Sequence, residues 1–363
     1  MATPPQKIDA TAVAQFVRLE SCERFLWYRL HTAERDRLLR EKELTEQPLS
    51  ILLSTSGAEH EAHVTAELAR DFELVDLTDI ASDEGAEATV SQIAGASKPL
   101  ALLQPRLEGT LGDLPAGGLA DVILVRPGKD GCRITVADAK ASRKDRPEHR
   151  IQIAFYSKLL RQMLDAAGVK IGEIAGVVWH KGAGPLDAEP FDVRPYEESL
   201  DLLVDAQGPV ARVAGATIDE VTYQLGYKCD GCAYNALCMR EAAEKESLAL
   251  VPQLPARDRR QLESAGIDDV VALATLMDLP GEGTRRLAPA AGKQDILERL
   301  NREWPLAANL ERHVQRARAA AHKRHPEVPS LSFIFGSGFG SMPSREDHPE
   351  LVEVFLEGHH DYI

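Results

Sequence analysis

Gly118-Leu119-Ala120-Asp121-Val122-Ile123-Leu124-Val125, followed one hairpin later by Val136-Ala137-Asp138-Ala139-Lys140, is the stretch on which the reading of this chain turns. Each segment sets one carboxylate on a strand otherwise built of apolar residues. A carboxylate there is costly to bury unless a cation offsets it. Two such carboxylates on adjacent strands can share a divalent metal, with water in its open positions. Strand side chains alternate with period two, so Asp138 and Lys140 face the same way. A metal-bound water flanked by an ammonium is an arrangement suited to phosphodiester hydrolysis. Taken alone, Asp-x-Lys is a common triplet, and an ordinary surface ion pair is its bland reading.

The surroundings give the triplet a frame. Leu100 to Leu107, Gly118 to Val125 and Cys132 to Ala139 are apolar-rich and separated by Gly and Pro, which predicts an antiparallel meander. Ile151 to Ala166 reads as a helix and Ile174 to Trp179 as a further short strand. Upstream, residues 12 to 46 read as helical, and a second helix runs from about Ala58 to Phe72 before a strand at Leu74 to Leu77. Residues 81 to 98 are small, polar and acidic and read as a loop or weak helix. Sheet, helix, sheet is an α/β core. On the helix that follows the second acid, Gln152 and Tyr156 are four residues apart and share a face.

Gly-x-x-Asp at 118–121, Asp-Ala-Lys at 138–140 and Gln-x-x-x-Tyr at 152–156 stand in the order that resembles the RecB-type PD-(D/E)XK nucleases. The resemblance implies a restriction-endonuclease-like fold, with a mixed central sheet flanked by helices. It implies that Asp121 and Asp138 bind Mg²⁺ or Mn²⁺ and that Lys140 is catalytic. Gln152 and Tyr156 would organise the site and the DNA. The family's earlier Gly-x-x-x-Glu or Gly-x-x-x-His motif is matched by Gly57-Ala58-Glu59-His60-Glu61. Strict spacing selects Glu61 as the further acid, and adjacent His60 is kept as a second candidate metal ligand. His60 and His63 are three apart, which is not the spacing of a zinc-protease helix. The implied activity is a deoxyribonuclease, exonuclease in preference to endonuclease, acting on single-stranded or end-processed DNA in repair, recombination or defence.

The five cysteines are an odd number in a chain without a signal core, which disfavours a disulfide framework. Cys229-x2-Cys232-x5-Cys238 is a compact triplet, and Cys22 stands far upstream. Four thiolates suit a 4Fe–4S cluster or a structural zinc ion. The arrangement resembles the iron–sulfur nucleases of the AddB type and of CRISPR adaptation, in which one cysteine precedes the nuclease core and three follow it. That resemblance implies a 4Fe–4S staple on Cys22, Cys229, Cys232 and Cys238. Cys132 falls outside the pattern and reads as a packing residue.

The 363 residues carry a formal charge of −15, which excludes general electrostatic coating of nucleic acid and leaves room for a local basic channel. Arg143, Lys144, Arg146, His149 and Arg150 form the densest basic cluster, and Arg143, Lys144 and Arg150 are the candidates for gripping a DNA strand. No apolar run approaches the roughly 18 residues of a membrane span, so the expected location is cytoplasmic with no membrane partner. The expected organisation is a nuclease domain over 1–250, a helical domain over 251–325 and an extension over 326–363. In the helical domain, residues 257 to 278 resemble a helix-hairpin-helix, and residues 294 to 323, basic and broken at Pro305, offer Arg312, His313, Arg316, Arg318, Lys323 and Arg324 to phosphates. Gly336 to Gly340 reads as a turn, and the strand-like Leu351 to Leu356 as the start of a further domain. A helicase or other nuclease-complex partner is expected on the same resemblance. The rival reading is a subunit that holds DNA without cutting it, or a zinc-stapled structural subunit.

Overall fold

The computed structural model describes residues 7–46, 51–181, 187–278, 287–322 and 324–329. Lys323, the glycine-rich stretch 336–340 and the strand-like Leu351 to Leu356 lie outside them. The chain divides into two compact units between Thr222 and Tyr223.

In the first unit, residues 12 to 46 are three helices rather than one: α1 (Ala10–Arg18), α2 (Glu23–Leu30) and α3 (Thr32–Glu41). Glu20 and Ser21 take positive φ angles of 56° and 61°, which no α-helix accommodates, and the chain turns there. Asp9 starts α1 by accepting from the Ala12 amide at 2.6 Å. Next come α4 (Ile51–Leu68), β1 (Glu73–Asp76) and α5 (Gly85–Gly95), so the acidic segment 81 to 98 does hold a helix. Its buried Thr89 and Ile93 supply the packing that its propensity does not.

The strands that follow are β2 (Leu100–Leu103), β3 (Arg106–Leu111), β4 (Leu114–Leu119), β5 (Val122–Arg126) and β6 (Cys132–Lys140). After them come α6 (Pro147–Ala166), β7 (Ile171–His180), β8 (Phe191–Asp192), α7 (Arg194–Val204) and α8 (Pro209–Gly215). The expected meander is only partly present. β3 and β4 pair as a separate two-stranded sheet, while β2, β5 and β6 run antiparallel inside a mixed six-stranded sheet ordered β1-β2-β5-β6-β7-β8. β6 and β7 are parallel, with α6 as the crossover between them.

The central strands are buried on both faces. On one, Ala137, Ala139, Val177 and Trp179 pack with Val64, Leu68 and Phe72 from α4 and its C-terminal end. On the other lies α6, where Ile153, Phe155, Leu159 and Leu160 are fully buried. A strand covered on both sides has few polar positions to give away, so Asp138 stands out.

The second unit is helical: α9 (Asn235–Glu244), α10 (Ala256–Ser264), α11 (Val270–Ala274), α12 (Gln294–Leu300) and α13 (Leu306–Ala321), with a short ribbon of β9 (Met277–Asp278) and β10 (Ala288–Pro289). α10 and α11 are the two short helices expected around Gly266. That residue's φ of 83° makes the turn and is costly for a residue with a Cβ. Pro305 caps α13 and separates it from α12. α13 is not a solvated basic helix. His313 and Arg318 are buried beside Leu310, Val314 and Ala317 because α13 runs through this unit's core. His313 Nε2 meets Asp258 Oδ2 at 3.0 Å, and Arg318 donates to the carbonyls of Ala274 and Met277.

Candidate active site

Asp138 and Lys140 end β6 on the face turned to α6. Lys140 Nζ donates to Asp138 Oδ1 at 2.7 Å. Asp138 is 1% exposed, and its second oxygen, Oδ2, is buried with no donor. Burial drives the Asp138 pKa well above the usual carboxylate range. Lys140 opposes that shift and the neighbouring Asp121 reinforces it.

The expected strand Gly118 to Val125 is broken: Gly118 and Leu119 end β4, β5 starts at Val122, and Asp121 lies in the bend between them. Its Oδ2 accepts from the Ala139 amide at 2.8 Å, and its own carbonyl accepts from Gln104 N at 3.0 Å. The first bond fixes the Asp121 carboxylate against β6, between Asp138 and Lys140 in sequence. Glu61, on α4, completes the cluster electrostatically. Partial burial, then the nearby Asp121, raises its pKa, with Lys140 opposing. Burial works against the Lys140 ammonium, but the carboxylates of Asp138, Asp121 and Glu61 outweigh it and hold its pKa above the ordinary value. Four residues from three elements thus act on one another.

His60 does a different job from its neighbour. Its Nε2 lies 2.9 Å from the Trp179 carbonyl, which can only accept, so Nε2 carries the hydrogen and ties α4 to the end of β7. While that bond holds, this nitrogen has no lone pair for a metal.

Tyr156 donates to the Leu119 carbonyl at 2.6 Å and anchors the turn that delivers Asp121. Gly118 leaves room for the ring, since a Cβ there would lie 3.2 Å from Tyr156 Cε1. Burial, with Asp138 and Asp121 adding to it, raises the Tyr156 pKa, and Gln152 bears on the same hydroxyl in the opposite sense. So α6 brings the expected pair to the site.

His149 belongs to the same face, three residues before Gln152 and seven before Tyr156. Read from sequence it is one more member of a basic run. In the structure its side chain is 12% exposed, and its Nδ1 is buried without a hydrogen-bond partner, 3.9 Å from Asp145 Oδ1. Burial, with Lys140 next in effect, lowers its pKa to about 4, so it is a neutral imidazole near pH 7. Its phase with Gln152 and Tyr156 was the signal available for it.

The basic cluster is not uniform either. Arg143 and Lys144 lie exposed in the turn between β6 and α6. Arg150 is committed within the fold: Nε donates to Asp145 at 2.5 Å, NH1 to the Tyr196 hydroxyl at 2.6 Å, and the guanidinium lies over the Phe191 ring at 4.8 Å.

The fit to a divalent cation rests on the chemistry of this donor set. Three carboxylates are hard oxygen ligands, and the orphaned Asp138 Oδ2 is a buried lone pair that requires a proton or a cation. Among the described residues, no three His, Cys, Asp or Glu side chains stand gathered as a closed metal site. Of the five cysteines, Cys232 and Cys238 are buried and Cys22, Cys132 and Cys229 partly so. Cys229 lies within a 3-10 turn (Tyr227–Gly231) that Cys232 caps, and its Sγ lies 3.6 Å from the Gln224 carbonyl. No helix among the described residues is long and apolar enough to cross a membrane.

A mixed sheet flanked by helices, with an acid and a lysine at the end of β6 and a second acid in the bend before β5, defines a nuclease-type α/β core. The chain belongs to the PD-(D/E)XK nuclease superfamily, whose family model matches residues 12–239. Among solved structures, a protein designated SSO0001 is 13% identical over 66% of this chain and 88% of its own, with a TM-score of 0.31. A candidate exonuclease from Eubacterium rectale is 16% identical over 63% of this chain and 88% of its own, with a TM-score of 0.34. No curated protein sequence matches the chain.

Proposed function

We propose that this nuclease is a RecB-like, Mg²⁺- or Mn²⁺-dependent deoxyribonuclease that degrades DNA from ends, with single strands as the preferred substrate. The observation that carries the reading is the buried Asp138 carboxylate, one oxygen bonded to Lys140 and the other bare, with Asp121 and Glu61 beside it. Asp121 and Asp138 are the metal ligands, and Glu61 joins them. A Mg²⁺ or Mn²⁺ held by these carboxylates would supply the charge that polarises the scissile phosphate and lowers the pKa of a bound water. Lys140, already a donor to Asp138, places positive charge where the phosphate gains negative charge. Tyr156 and Gln152 hold the Gly118–Asp121 turn in register. Arg143 and Lys144 grip the phosphate backbone. Arg150 supports them by bracing the turn through Asp145.

Cys22, Cys229, Cys232 and Cys238 are the proposed ligands of a 4Fe–4S cluster. The support is their number and the Cys-x2-Cys-x5-Cys spacing. A helicase partner and a cytoplasmic role in DNA repair or defence follow from the same resemblance.

The deciding experiment is cleavage of end-labelled single- and double-stranded DNA by anaerobically purified protein with Mn²⁺ or Mg²⁺, wild type beside Lys140→Ala. Metal-dependent cutting that is lost in the variant supports the site, and the product ladder reads exo- against endonucleolytic cutting. A folded wild type that binds DNA and never cuts it would favour the non-cleaving subunit.

A further inference from the structure

The second unit carries a feature that the nuclease site does not use. The chain has three tryptophans. Trp27 and Trp179 are 4% and 3% exposed, whereas Trp304 is 71% exposed. An indole is among the side chains that gain most from burial, and one left in water at the end of an ordered segment invites a functional reading.

The surroundings of Trp304 are rich in arginine. Its carbonyl accepts from Arg257 of α10. Gln261, one helical turn further on, donates to Glu303 at 2.9 Å, and Arg299 reaches the Ser264 carbonyl at 3.5 Å. These bonds hold segment 299–304 against the outer side of α10. Arg257, Arg260, Arg299 and Arg302 are all exposed there. Arg260 and Arg302 have no ion pair among the described residues. Of the nearby acids, Glu263 is paired with Arg259 at 2.7 Å, Asp258 is buried against His313, and Glu303 is engaged by Gln261. Asp295 and Glu298 on α12 are the exposed acids that remain, and Glu303 keeps its charge. Four exposed guanidiniums thus stand with three exposed carboxylates around one open aromatic face, a small local surplus of positive charge in a chain of net charge −15.

We infer that Trp304, with Arg257, Arg260 and Arg302, forms a platform for single-stranded nucleic acid on the second unit. The indole stacks on an unpaired base, and the guanidiniums contact the flanking phosphates. A base has the flat apolar face that matches an exposed indole, and the strand has the charge that matches the arginines. The choice of nucleic acid over another polyanion rests on the nuclease reading.

Because Trp27 and Trp179 are buried, the solvent-exposed tryptophan emission belongs to Trp304, which makes the site directly readable. The full chain carrying Lys140→Ala is titrated with oligothymidylate without added divalent metal, so no strand is cut. Stacking is expected to quench the exposed emission saturably. By anisotropy of a labelled oligonucleotide, Trp304→Ala should weaken binding by roughly five-fold or more, while Trp304→Phe keeps most of it. Arg257→Glu with Arg260→Glu should weaken binding and flatten its dependence on salt. Circular dichroism checks that each variant keeps its helices, as expected for exposed positions. Absent quenching, or equal affinity in wild type and Trp304→Ala, overturns the platform, and polyphosphate binding as tightly as oligothymidylate overturns the stacking. Cleavage by the Lys140-intact chain is scored separately. Quenching without cleavage would sink the nuclease reading and keep the platform, and cleavage without quenching would do the reverse.

Discussion

Lys140 Nζ donates to Asp138 Oδ1 at 2.7 Å, while the other oxygen of the same carboxylate is buried and bare. One ammonium therefore serves half of a buried charge. Without a cation, the raised Asp138 pKa means the folded state takes up a proton that the unfolded state gives away. For an acid shifted upward, stability falls as pH rises from the unfolded pKa through the folded one. Replacing Asp138 with Asn removes that penalty. The metal-free Asp138→Asn variant should melt at or above the wild-type temperature, with the gap widening toward neutral pH. Added Mn²⁺ should stabilise the wild type, by about 2.7 kcal/mol at a hundred-fold excess over its Kd, and leave the variant unmoved. Equal Mn²⁺ shifts in both proteins, read by calorimetry, would remove Asp138 from the metal site.

Tyr156→Phe isolates a single bond. The ring keeps its place over Gly118, but the Leu119 carbonyl loses its 2.6 Å donor. Leu119 is 43% exposed, so water can replace the donor and the loss is that of an ordinary hydrogen bond, about 0.5–1.5 kcal/mol, with a modest drop in melting temperature. Leu119 lies two residues before Asp121, so the same loss loosens the carboxylate. Activity should fall roughly 10–100-fold, the scale of a lost outer-shell support, with KM for DNA little changed. A KM effect with an unchanged turnover would instead make Tyr156 a DNA contact.

The sequence made the centre of this fold legible because β6 and α6 are long, β5 is a continuous apolar run, and all three are buried in the core. Asp138 was conspicuous because it breaks an apolar run, and Lys140 followed from strand alternation. What stayed hidden depends on partners distant in sequence. β3 and β4 form a local hairpin about Gly112-Asp113, but nothing in their sequence sets that pair apart from the main sheet. The break at Glu20 and Ser21 lies in two positive φ angles that neither residue type signals. Motif spacing favoured Glu61 and kept His60 beside it, and no local signal shows that the Trp179 carbonyl, 119 residues away, meets the His60 Nε2. Arg150 and His149 look like cations in a run of cations. Burial against Asp145, Tyr196 and Lys140 gives one a structural task and keeps the other neutral.

The cysteine assignment makes a chemical prediction with a built-in control. Anaerobically purified protein should be brown and contain iron, and Cys229→Ser, Cys232→Ser or Cys238→Ser should bleach it. Cys132, partly buried at the start of β6 and outside the triplet, should tolerate Ser with its colour intact. A colourless protein carrying zinc would replace the cluster with a four-thiolate zinc site.

His149 sets an acid limit on the fold. Its pKa is lowered to about 4 from an ordinary 6.5, chiefly by burial and then by Lys140. For a base shifted downward, the unfolded chain binds more protons between those two values, so stability falls as pH drops from about 6.5 toward 4. With its side chain 12% exposed, little solvent screening intervenes. The ceiling is on the order of 1–3 kcal/mol. Carboxylates elsewhere also titrate in acid, so the informative quantity is the difference between wild type and His149→Gln, which keeps a polar group of similar reach without the proton. Urea melts of the two at pH 7.0 and 5.0 (roughly either side of the unfolded His pKa) should show the wild type losing more stability on acidification. Parallel losses would mean that the imidazole is hydrated and charges freely, and that the α6 face beside Lys140 is wetter than its packing implies.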